Sequence, residues 1–77
     1  MRQMNSEYVV ILAQSTSQAL KGERLLNRAG IGCKLIPVPR HLSSDCGVCL
    51  RVAREDSQAA LKALEEAHLV LEAICDL

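Results

Sequence analysis

Phenylalanine and tryptophan are absent from this chain, and Tyr8 is its single aromatic residue. The interior must therefore be assembled from Leu, Val, Ile and Ala, without the large area that aromatic rings bury. There is no surplus of either charge, since nine Lys and Arg balance nine Asp and Glu. Nucleic-acid binding leans on basic residues and, for single strands, on aromatic stacking platforms, so both absences argue against it. No run of ~18 apolar residues is available to span a membrane. The stretch from Met1 to Glu7 is polar and lacks the apolar region of a signal peptide. The expected location is the cytoplasm, where thiols are kept reduced. Proline and glycine are scarce, at two and four residues, so each one that is present marks a position worth reading.

The 77 residues suffice for one domain, residues 1–77. Such a domain buries only ~60–65% of its unfolded surface. Tyr8-Val9-Val10-Ile11-Leu12-Ala13 is a continuous apolar run rich in β-branched residues and predicts a central strand covered on both faces. Ser15-Thr16-Ser17-Gln18 fits a capping box, with the Ser15 hydroxyl accepting the Gln18 amide and Gln18 reaching back. A helix follows over residues 16–29, with Ala19, Gly22, Leu26 and Ala29 on one face. Gly22 marks a close approach of that helix to the sheet, and Gly30 caps it. Cys33 to Val38 predicts a second strand, and Pro37, which cannot donate to a ladder, marks an edge or a strand end. Gly47 to Val52 alternates cleanly as a third, with Val48, Leu50 and Val52 on one face and Cys49 and Arg51 on the other.

Asp56 or Ser57 then caps a second helix with Ala60, Leu61, Leu64 and Ala67 on its apolar face. Pattern alone leaves residues 69–77 open between strand and helix. With a final strand the order is β-α-β-β-α-β, an α+β, ferredoxin-like arrangement with both helices on one face of an antiparallel sheet.

One stretch is not explained by packing. Pro37-Val38-Pro39-Arg40-His41-Leu42-Ser43-Ser44-Asp45-Cys46-Gly47 enters through two rigid prolines. It then offers a guanidinium, an imidazole, hydroxyls and a carboxylate, and closes on a thiol beside a glycine. Four cysteines in a reducing compartment read as buried, reactive or metal-binding residues more than as a disulfide frame. Cys46-Gly47-Val48-Cys49 spells C-x-x-C, but Cys49 falls inside a strand. Three extended residues separate Cα atoms by roughly 10 Å, whereas a disulfide tolerates no more than ~7 Å.

In order and spacing, several motifs resemble the selenium/sulfur carrier-like family of small prokaryotic domains. They are Ser15-Thr16-Ser17, Ala19-Leu20, Glu23, Gly30-Ile31, Lys34-Leu35-Ile36-Pro37-Val38-Pro39-Arg40, Ser43-Ser44, Cys46-Gly47 and Leu50-Arg51-Val52. The resemblance implies a final strand. It also implies a carrier, more than a stand-alone enzyme, that holds a persulfide or selenopersulfide on Cys46 and exchanges it with donor and acceptor proteins. No cofactor or metal is implied. Departures from the family pattern are Cys33, Cys49 and Cys75 at usually apolar positions, and His68 where a turn glycine is common.

The site residues expected on this reading are Cys46 as the thiol, with Gly47, Arg40, Ser43 and Ser44 around it. Arg40 is permanently charged and favours a thiolate. His41 can supply a proton or a second positive charge. Asp45 opposes a lowered thiol pKa, and the serines cap the turn. Two other readings stand beside it. One is a small regulatory or adaptor module that binds a partner or an anion at Arg40 and the hydroxyls, with Cys46 inert. The other is a dithiol redox or metal protein using Cys46 and Cys49. Because strand one is apolar on both sides, its set turned away from the helices, or else the Pro37-containing edge, is expected to pack against a second copy, giving a homodimer or small closed ring.

Overall fold

The computed structural model describes residues 7–40, 42 and 47–76. Along the chain run β1 (Tyr8–Ala13), α1 (Thr16–Arg28), β2 (Cys33–Pro37), β3 (Val48–Ala53), a 3-10 turn (Arg54–Asp56), α2 (Ser57–Glu66) and β4 (Leu71–Asp76). The four strands form one antiparallel sheet in the order β2-β3-β1-β4. The two helices and the antiparallel sheet make this an α+β fold.

Strand parity divides the core. Val9 and Ile11 of β1, Leu50 and Val52 of β3 and Cys33 of β2 meet Leu26 of α1 and Ala60 and Leu64 of α2 in one buried cluster. Full burial of aliphatic side chains such as Ile11, Leu26, Leu50 and Leu64 contributes ~1.5–3 kcal/mol each. At Gly22 the helix does lie close on this layer. A Cβ there would stand 2.9 Å from Leu50 Cδ1 and 3.3 Å from Leu64 Cδ2.

The opposite face carries Val10, Leu12 and Cys49, and it is not bare. Ile36, Val38, Leu42 and Cys75 pack against these three residues, which are at most 4% exposed within a single chain. This corrects the expectation of wet strand-one residues awaiting a second copy. Val38, read as the end of the second strand, and Leu42, read within the polar loop from Arg40 to Asp45, cover that face themselves, so the argument for a homodimer from β1 loses its premise.

Both helices end in the same way. Ile31 N–H donates to the Leu26 carbonyl at 2.9 Å and Gly30 N–H to that of Asn27 at 3.1 Å, with Gly30 at φ 84°. This is the Schellman pattern, and Ile31 adds its apolar contact with the core. In α2, Leu69 N–H donates to the Leu64 carbonyl at 3.1 Å and His68 N–H to that of Glu65 at 2.9 Å, with His68 at φ 61°.

At the start of α1, Gln18 N–H donates to Ser15 Oγ at 3.2 Å. The reciprocal half of the capping box is missing, since Gln18 Oε1 has no hydrogen-bond partner. Ala29 is the C-cap of α1 and is exposed, so it lies off the buried face assigned to it. Asp56 is the N-cap residue of α2 but makes no side-chain cap bond, because the 3-10 turn already carries its backbone in a helical conformation.

The tail is a strand. Ile11 pairs with Ile74 and Leu12 with Ala73, but Ala13 pairs with Leu71. Glu72 is thus an extra residue, a β-bulge. It turns Leu71 to the helix side, where Leu71 packs against the main cluster.

Candidate functional site

The loop between β2 and β3 is built on a closed base. The last ladder pair is Pro37 with Val48. Beyond it Val38 N–H donates to the Gly47 carbonyl at 3.2 Å, extending the pairing one step past the proline, which has no N–H to give. Leu42 N–H then donates to the Pro39 carbonyl at 3.0 Å, closing a turn that contains Arg40. Val38 and Leu42 point their apolar side chains into the second face of the core. Arg40, between them, is exposed.

Of the expected site residues, Arg40 and Gly47 are described. Cys46, Ser43 and Ser44, together with His41 and Asp45, lie outside the described residues. Gly47 is exposed, and among the described residues no atom lies within 4 Å of where its Cβ would stand.

The other three thiols sit elsewhere. Cys49 is fully buried in the second-face cluster, and Cys75 is half-buried against the same cluster. Cys33 is 7% exposed on the helix side. Burial, and secondarily the Glu23 carboxylate, push the Cys33 thiol up from 9.0 to about 11, so it stays protonated and a poor nucleophile at neutral pH. Among the described residues, no group of three or more His, Cys, Asp and Glu side chains is placed to hold a metal ion. No helix is long and apolar enough to cross a membrane.

Two features at the far end of the sheet went unread in the sequence. The Arg51 guanidinium carbon lies 4.2 Å from the centroid of the Tyr8 ring, and Arg51 stands directly across the ladder from Lys34. The signal for the second was present, as two cations at facing positions of a predicted hairpin. The first depended on knowing that β1 lies beside β3.

Neither a curated protein nor a solved structure gives a match to the chain. A family model does, described as "Putative Se/S carrier protein-like", and it covers residues 8–76, from the first residue of β1 to the last of β4. The motifs around the closed loop and the extent of that match place the chain in the Se/S carrier protein-like family.

Proposed function

We propose that the protein carries sulfur or selenium on Cys46. The family match is the observation that supports this reading. The loop base agrees with it, with Val38 bonded to Gly47 and Arg40 exposed. The Cys46 thiolate attacks the outer sulfur of a donor persulfide. That S–S bond breaks, the donor leaves as a thiolate, and Cys46 becomes the persulfide. The outer atom passes on when an acceptor thiolate attacks it in turn. Transfer of sulfane sulfur or its selenium analogue is a thiol exchange with no net electron change. Arg40 supplies fixed positive charge to the thiolate, and Ser43 and Ser44 are the hydroxyl-bearing residues of the same loop. Donor and acceptor are proteins, in a compartment that keeps thiols reduced.

The scaffold agrees with the carrier reading. We take the order β2-β3-β1-β4, with every neighbour antiparallel, as the ferredoxin-like one. The dithiol alternative is disfavoured by the complete burial of Cys49.

Incubation with a small-molecule persulfide donor should add the mass of one sulfur atom to the intact protein, and Cys46→Ser should abolish the gain. Equal uptake by Cys46→Ser at the same rate overturns the carrier reading. A Cys46 that resists both sulfur loading and alkylation supports an adaptor module instead.

A further inference from the structure

At the end of the sheet away from the loop, Lys34 and Arg51 are paired across β2 and β3. Like charges directly opposite each other on a ladder repel, and among the described residues neither has an anionic partner. Arg51 is held instead by Tyr8, whose ring face lies 4.2 Å from the guanidinium carbon. A ring face attracts the charge but takes no directed N–H bond in the way an oxygen does. Arg51 Nε is buried and has no hydrogen-bond partner. The guanidinium is thus packed against the ring, with its Nε unpartnered.

Both cations line a cleft of about 360 Å³, whose walls also include Tyr8, Asn27, Cys33 and Asp56. A fixed planar fork beside a second cation is the arrangement that takes a carboxylate or another oxyanion. We infer that this cleft is a binding site for a small oxyanion, held by Arg51 and Lys34. Tyr8 positions the guanidinium, and the Asn27 amide is available as a neutral donor. Asp56 also lines the cleft, and its negative charge disfavours highly charged anions and sets the preference toward a carboxylate or singly charged oxyanion. The site does not depend on Cys46. Cys33 and Pro37 mark the two ends of β2, so four strand steps of ~3.4 Å put the cleft roughly 14 Å from the loop base.

Backbone amide NMR with added sodium acetate, and separately sodium sulfate, tests this against sodium chloride at matched ionic strength. Saturable shifts centred on Cys33, Lys34, Arg51 and Asp56 are expected, larger with acetate. Arg51→Gln should weaken binding about tenfold or more, the loss of a charged hydrogen-bonding partner. Lys34→Gln, on the exposed edge, keeps the fold and should weaken it less. Shifts that match those in chloride, or that spread equally over Lys21, Arg24 and Arg28, overturn the assignment. So does a Lys34→Gln protein that binds unchanged. Sulfur loading at Cys46 is read by mass alone, so either proposal can fail without the other.

Discussion

Gly30 and His68 hold the same position in two copies of one helix-ending motif. Gly30 takes φ 84° at no steric cost, and His68 takes φ 61° with a Cβ in the way. A non-glycine residue in the left-handed region costs ~1–2 kcal/mol. His68 is exposed, so little packing offsets this. His68→Gly should stabilise the protein by about 1 kcal/mol, less the extra chain entropy of glycine when unfolded. In a domain this size that is a rise of roughly 4–8 °C in melting temperature. A fall in melting temperature would show that the His68 side chain contributes more than its backbone strain costs.

Gly22→Ala pits two effects against each other. Alanine gains ~1 kcal/mol of helix propensity over glycine. Its Cβ would sit 2.9 Å from Leu50 Cδ1 and 3.3 Å from Leu64 Cδ2. Both leucines are fully buried and have little room to yield. Overpacking costs ~1–3 kcal/mol, so the net expectation is a loss of about 1 kcal/mol in urea unfolding, with Gly22→Val worse. An alanine variant more stable than the parent would mean that Leu50 repacks freely.

Cys33 gives stability an alkaline limb. Its thiol ionises near 9.0 in the unfolded chain and at about 11 when folded. Between those values the unfolded state binds fewer protons, so unfolding becomes easier as pH rises. The contribution is fully present below pH 9 and is lost progressively toward pH 11, up to roughly 2–3 kcal/mol. Cys33→Ala should flatten this limb while lowering stability at pH 7 through lost packing. An unchanged slope between pH 9 and 11 would assign the limb to other groups.

Leu42 packs against the cluster that holds Cys49. Leu42→Ala should cost about 1–2 kcal/mol, below the full burial value because Leu42 is only half-buried. It should also speed alkylation of Cys49 in the native protein, read by peptide mass. If Cys49 stays as protected as in the parent, the cover comes from Val38 and Ile36 alone.

Much of this architecture is legible in the residues. β1 and the two helices follow from a β-branched run and from apolar spacing, and the Gly22 approach follows from one glycine on a helix face. The last strand is not legible, and the bulge at Glu72 explains why. Leu71 and Ala73 read as one face of an alternating strand, yet the extra residue sends Leu71 to the helices, while Ala73 keeps the face of Leu12. The cover over Val10, Leu12 and Cys49 was hidden for another reason. Val38 follows Ile36 at strand spacing but beyond Pro37, and Leu42 is an isolated apolar residue among polar groups that no periodicity links to the sheet it covers. The candidate site came from composition and resemblance together. Its geometry is defined at the closed base and at Arg40, while the reading of Cys46 rests on chemistry and family.

The packed positions on either side of Arg40 set how this loop can vary through evolution. Surface loops ordinarily accept substitution and insertion more freely than the elements they connect. Here Val38 and Leu42 answer to the interior, so substitutions at those two positions are filtered as core changes are. Arg40 is exposed and under no such packing constraint. Charge at the loop can therefore be retuned for a new partner in a single step, without disturbing the fold, whereas lengthening the chain between Val38 and Leu42 would break the register of both.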